Sequence, residues 1–270
     1  MIHTAWSDGY RLLYHWQPFK EERLARTLSQ NQIYCSRPND FNDPWDCKPH
    51  FNTEILADPA ENERHASWAV EMWSKHYPGA PDEVKQQKRA MLLADRNLAA
   101  MCLTEISEGM AEDINAKYRV YCLGPNVQNL LMWAHYADNH RGVCLEFDLR
   151  NDVLCGALRC DYSSAYPLIK AYDNSEEASL LALLAKGDVW QYENEYRLIA
   201  QERGRATEGA DILLTEEGQL QLPQGALRSV IVGCQANYEL IRGLVERLAP
   251  HVRVRRARRV PNRYELQVED

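Results

Sequence analysis

Gly142-Val143-Cys144-Leu145-Glu146-Phe147-Asp148 alternates with a period of two, and the rest of the fold is read outward from it. A strand turns successive side chains to opposite faces, so Val143, Leu145 and Phe147 point inward together while Cys144, Glu146 and Asp148 take the other side. Upstream, Val120 to Leu123 is a short apolar strand, and Val127, Leu130, Leu131 and Ala134 mark one face of a helix with Asn126 at its cap. Downstream, Arg159 to Tyr162 can pair nearby.

The flanks follow the same logic. Arg11 to Trp16 alternates, with Leu12, Tyr14 and Trp16 on one face and Leu13 and His15 on the other. A helix over 20–29 and a strand from Gln32 to Ser36 come next. They end at Arg37-Pro38-Asn39-Asp40-Phe41-Asn42-Asp43-Pro44, where prolines and Asn/Asp side chains stop a ladder. From Glu61 to Tyr77 a helical stripe runs to Pro78-Gly79-Ala80-Pro81, and a second helix spans Asp82 to Met101. These helices form an insertion over 54–118.

Beyond the central strand, Ser175 opens a Leu-rich helix that Gly187 closes. Then come a strand from Tyr192 to Ala200, a polar loop from Glu202 to Gly218, a buried strand from Leu227 to Gly233, another helix, and terminal strands near Val252 and Tyr264. This order predicts an α+β fold: a mixed, mainly antiparallel central sheet with peripheral helices, in a single domain over 1–270.

Composition supports one well-formed core. The chain has 270 residues, 45% of them hydrophobic and 26% charged, near the globular average. No apolar run is long enough for a bilayer, and the N-terminal residues lack a signal-peptide pattern, so a cytoplasmic protein is expected. The 8 cysteines are scattered, as buried reduced thiols are, and match no closed zinc site or disulfide framework. A net charge of −8 gives no global attraction to nucleic acid. Locally, His251-Val252-Arg253-Val254-Arg255-Arg256-Ala257-Arg258-Arg259 is basic enough to contact phosphates; the plainer reading is an edge strand whose arginines block pairing between sheets.

Three stretches carry chemistry. In Tyr192-Glu193-Asn194-Glu195-Tyr196-Arg197 a continuous strand puts Glu193, Glu195 and Arg197 on one face, with neighbouring carboxylates roughly 7 Å apart. One can orient a hydroxyl while the other stabilises developing positive charge; in the plainer reading both meet cross-strand partners on a wet face. Leu13-Tyr14-His15-Trp16 sets an imidazole among aromatics, able to bond a ribose hydroxyl beside a stacked ring, or simply a satisfied core histidine. Trp133-Ala134-His135-Tyr136 and His140-Arg141 form an aromatic wall with hydrogen-bonding groups. The loop from Ser36 to Asp46 serves binding or turn architecture equally well.

Tyr14-His15-Trp16, the loop Ser36 to Asp46, Leu131-Met132-Trp133-Ala134-His135-Tyr136, His140 to Phe147, and Trp190 with Glu193-Asn194-Glu195-Tyr196-Arg197 together resemble the domain-of-unknown-function family numbered 2971, over nearly the whole chain. More distantly, Leu13-Tyr14-His15, the following helix and Ile33-Tyr34-Cys35-Ser36, with the acidic strand and Val230-Ile231-Val232-Gly233 later, resemble ADP-ribosyltransferase folds. That second resemblance implies NAD as substrate and a macromolecular acceptor, nucleic acid or protein. It implies Glu195 as the catalytic carboxylate with Glu193 beside it, and His15 gripping NAD. Ser36 and Arg37 would line the pocket and Tyr136 would stack, with Tyr14, Asn42, Asp43, Trp133, His135 and Arg197 completing the cofactor-binding set. No resident metal is implied. A toxin or phage-defence role fits such chemistry. The Tyr-rich Ser-Thr-Ser element of many such transferases is missing. The rival readings are a metal-dependent nuclease, with Asp40, Asp43, Asp46 and Glu195 gathering magnesium, and a non-enzymatic ligand-binding module.

Overall fold

The computed structural model describes residues 3–167, 169, 170, 172, 175–207 and 212–270. Its strands are β1 (Leu12–Gln17), β2 (Gln32–Tyr34), β3 (Tyr118–Leu123), β4 (Val143–Asp148), β5 (Leu158–Arg159), β6 (Asp161–Ser163), β7 (Ala185–Gly187), β8 (Tyr196–Glu202), β9 (Leu213–Thr215), β10 (Gln219–Gln221), β11 (Leu227–Val232), β12 (Arg253–Arg259) and β13 (Leu266–Glu269). Its helices are α1 (Glu21–Gln30), α2 (Pro59–His76), α3 (Asp82–Ala94), α4 (Arg96–Lys117), α5 (Leu130–Tyr136), α6 (Ser175–Leu184) and α7 (Tyr238–Leu248). The chain divides into two compact units, one of residues Met1–Asn42, Ala116–Tyr162 and Asp188–Asp270, the other of Asp43–Asn115 and Ser163–Gly187.

In the first unit, β4 lies where its alternation places it, inside a five-stranded sheet of order β1-β4-β11-β12-β13. It pairs antiparallel with β1 and β11, so both edges of β4 are satisfied. Val143, Leu145 and Phe147 enter a core with Leu13, Tyr121, Val230 and helix α7's Ile241, Leu244 and Val245. Cys144 turns to the other face, which α5 covers with Met132 and Trp133. Each fully buried Leu, Val or Phe side chain contributes roughly 1.5–3 kcal/mol, so the strand is held from both sides. A second sheet, β3-β8-β5 with β9 parallel to β8, is mainly antiparallel, and β2 pairs with β10.

The second unit holds the helices expected as an insertion over 54–118. Asp58 caps α2, accepting from the Ala60 and Glu61 N–H groups, with Pro59 preset for the first turn. The helix expected over 82–101 is broken: α3 ends at Ala94, and Asp95 caps α4 by accepting from Asn97 and Leu98. An aspartate's short carboxylate competes for backbone N–H groups, which restarts the helix there.

Other expectations are also corrected. The helix from Ser175 stops at Leu184, and Gly187 belongs to a strand instead of closing the helix. The cap of α5 is Asn129, which accepts from the Leu131 N–H, in place of Asn126. The basic stretch is no edge: β12 runs between β11, in parallel, and β13, antiparallel. The polar loop after Glu202 contains β9, and its residues 208–211 lie outside those described. No helix among the described residues is long and apolar enough to cross a membrane.

Candidate functional site

Strand β3 is the meeting point of the first unit's candidate residues. On one side it pairs with β8, Cys122 standing opposite Arg197. On the other, Ser36 and Val120 exchange backbone hydrogen bonds of 2.9 Å, and Tyr14 and Gly124 exchange bonds of 2.9 and 2.8 Å. Space is tight at Gly124, where a Cβ would press on the Trp16 ring and the Glu193 carbonyl, both at 3.2 Å.

The His15 imidazole turns into the core, stacked on Tyr121 at 4.0 Å between centroids. Its Nδ1 lies 2.8 Å from the Cys122 carbonyl; a carbonyl only accepts, so Nδ1 carries the proton. Burial, with the nearby Arg23 charge, pulls its pKa down to about 3 against the opposing pull of the Cys122 carbonyl, so the ring is neutral at physiological pH. The Nε2 atom is buried without a hydrogen-bond partner.

Glu195 and Arg197 differ from the expected wet face. Asp188–Glu193 is a 3-10 turn and Asn194 is left-handed at φ 45°, so β8 begins only at Tyr196. Period-two alternation therefore does not extend back to Glu193, and the two carboxylates have separate surroundings. The Glu195 Oε1 accepts from Arg197 Nε at 2.9 Å and Oε2 accepts from Nη2 at 3.2 Å. Glu195 is 2% exposed and Arg197 is 0%. The Tyr162 hydroxyl accepts from the Glu195 N–H at 2.8 Å, and the Phe41 ring lies under the Arg197 guanidinium, 5.4 Å from its centroid. The loop after Ser36 thus reaches Arg197 through Phe41, a contact that its place in a turn-forming stretch does not announce.

Glu193 belongs to the α5 side. Its Oε1 accepts from the Tyr136 hydroxyl at 2.6 Å, and Asn129 Nδ2 donates to the Tyr192 carbonyl at 2.8 Å. Exposed His135 meets half-buried Trp190 and Tyr192, with ring centroids 6.3 and 6.4 Å away. Trp133 is fully buried, its Nε1 donating to the Val127 carbonyl at 2.7 Å; it packs the core and faces no ligand space. Tyr14 and His15, expected to act together, leave β1 on opposite faces. Tyr14 stands in register with Glu146, which accepts from the buried Ser229 hydroxyl and lies 3.7 Å from Arg255. Burial and the Glu146 carboxylate push the Tyr14 hydroxyl up to about 12. That row of Tyr14, Glu146 and Ser229 is spread over three strands, so no local motif announces it.

Arg37 is exposed, just before the Pro38–Asp40 turn, and Asn42, at the end of the first unit, is exposed as well. Asp43 begins the second unit, where its Oδ1 accepts from the Trp45 N–H at 2.9 Å, a turn-making role. Among the described residues no three His, Cys, Asp or Glu side chains gather as metal ligands. The arrangement offers a carboxylate fixed by a guanidinium fork, a neutral imidazole two strands away, and a separate aromatic patch above a second carboxylate.

Residues 132–154, which carry Met132-Trp133-Ala134-His135-Tyr136 and strand β4, match the family model described as a protein of unknown function, DUF2971. That match supports the resemblance to this family over the matched span. No curated protein and no solved structure matches the chain.

Proposed function

We propose that the chain cleaves the nicotinamide–ribose bond of NAD and transfers ADP-ribose to a macromolecule. The observation that carries this reading is the convergence on β3 of His15, Ser36 and the Glu195–Arg197 pair, which are far apart in the sequence. In such a reaction nicotinamide leaves with the electrons of the glycosidic bond while the ribose carbon takes on oxocarbenium character. The acceptor's nucleophile then bonds to that carbon and gives up its proton. A carboxylate already oriented by a fork of donors stabilises the cation without reorganising, which is where electrostatic preorganisation lowers a barrier most. Glu195 fills that role, Arg197 fixes its plane, and neutral His15 braces the far side of β3 through its hydrogen bond to the Cys122 carbonyl.

A second reading, a ligand-binding module without turnover, is favoured by one specific observation: Glu195 is 2% exposed and both its oxygens are engaged by Arg197. One assay separates the two. The chain is incubated with NAD and cell extract, and nicotinamide release and ADP-ribose labelling are followed for the native protein and Glu195→Gln, with circular dichroism confirming that the variant is folded. Labelling by the native chain and none by the folded variant supports the transferase. Equal labelling removes Glu195 from the reaction, and absence of labelling by both leaves the binding module.

A further inference from the structure

The geometry points to a docking surface for single-stranded nucleic acid on the hairpin that joins β12 to β13. Because β12 is paired on both edges, its arginines are not needed to guard an open strand. Two of them are paired with carboxylates, Arg255 at 2.8 Å from Asp270 and Arg258 at 2.6 Å from Glu269, and in the turn beyond the strand Arg263 lies 3.5 Å from Glu265. Arg253 and Arg259 have no carboxylate at ion-pair distance among the described residues, and both are exposed.

The hairpin turn adds an aromatic group. Tyr264 is fully exposed, on the wall of an open recess of about 590 Å³ that Arg259, Asn262 and Arg263 also line. Single exposed aromatics are ordinary on protein surfaces; one sharing a recess with the exposed Arg259 guanidinium is the combination that stacks a base and holds its phosphate. The turn is shaped in advance, with the Val260 N–H donating to the Glu265 carbonyl at 3.0 Å and Asn262 left-handed at φ 62°. An acidic peptide would use the arginines and leave the ring idle. A duplex hides the faces of its bases, so the ring selects a single strand. With a net charge of −8 over the whole chain opposing it, this binding is local and sensitive to salt.

The inference goes beyond the transferase reading and shares no residue with those assigned to NAD, so either can fail alone. The test is fluorescence anisotropy of a labelled oligothymidylate of about twelve nucleotides, added to the full chain without NAD at low and at raised salt. Binding that weakens with salt is expected, with Tyr264→Ala lowering affinity about tenfold. Arg259→Ala should reduce the slope of log affinity against log salt by about one. The same strand annealed to its complement should bind more weakly. No anisotropy change at low salt, unchanged affinity in Tyr264→Ala, or preference for the duplex overturns the proposal. Tyr264 touches no core, so the variant stays folded.

Discussion

Arg197 grips both carboxylate oxygens of Glu195 from two residues further along the chain, at 2.9 and 3.2 Å, with neither side chain open to solvent. Two desolvated charges joined by a fork of hydrogen bonds are each costly to remove alone, because the one left behind stays buried with that pairing lost. Glu195→Leu and Arg197→Met should therefore each cost about 3–5 kcal/mol, and the double variant clearly less than the sum. Urea unfolding of the four proteins measures this. Additive losses would mean that the two side chains are not coupled.

The sequence made this pair visible but misjudged its setting, and the reason is local. Alternation identified β4 and β1 because each runs unbroken for six residues, so successive side chains take opposite faces. In 192–197 the same pattern is an accident of composition: a 3-10 turn and the left-handed Asn194 interrupt the backbone without any glycine or proline to signal it. Asn is one of the few residues that adopts that conformation cheaply, and polar Asn reads equally well as an outward strand position. Likewise β12 looked like an edge because five of its seven residues are arginines, and only the pairing of the last strand, distant in pattern and short, covers it. Pairing across a sheet is non-local and leaves no trace in spacing. The Tyr14–Glu146–Ser229 row and Phe41 beneath Arg197 were unreadable for that same reason.

Asp148 closes β4 and accepts from Arg150 at 2.7 Å and from Arg228 at 2.8 Å. The Arg150 hydrogen bonds, aided by Arg228, hold its carboxyl well below the usual carboxylate range despite the opposing effect of burial. A group whose folded pKa is depressed adds stability above its unfolded value of about 3.9 and loses that stability as acid protonates the native state too. Asp148→Asn should thus melt at a lower temperature than the native chain at neutral pH, with the gap closing below about pH 4. Thermal melts across that range check it. A gap that stays constant with pH would show that the carboxylate's charge contributes nothing.

His15 shifts stability in the same direction through a different route. Its pKa of about 3 in the folded chain lies far below the unfolded value near 6.5, so between these limits the unfolded chain binds a proton that the native chain refuses. Stability contributed by the neutral ring is complete above about pH 6.5 and falls as the pH drops through that window, by up to about 1.4 kcal/mol per pH unit. Nitrogen-15 spectra should show the His15 ring neutral, with its proton on Nδ1, down to about pH 5. Protonation near pH 6.5 would place the ring in water and remove its hydrogen bond to Cys122 from the account.

Gly142, at the start of the stretch from which the fold was read, has no room for a side chain. A Cβ there would collide with the Gln17 carbonyl and press on the Ala137 backbone, neither of which can rotate aside as a flexible side chain would. The Ala137 carbonyl also accepts from the Gly142 N–H at 2.8 Å, so separating them breaks the turn that delivers the chain into β4. Gly142→Ala should therefore destabilise the protein by about 3 kcal/mol. Gly109, within α4, has open space around its Cα, and an alanine there removes unfolded-chain freedom without strain. Gly109→Ala should raise stability by about 0.5–1 kcal/mol. Chemical unfolding of both variants measures the opposed signs; a Gly142→Ala protein as stable as the native chain would mean that β1 and the turn before β4 are not packed this closely.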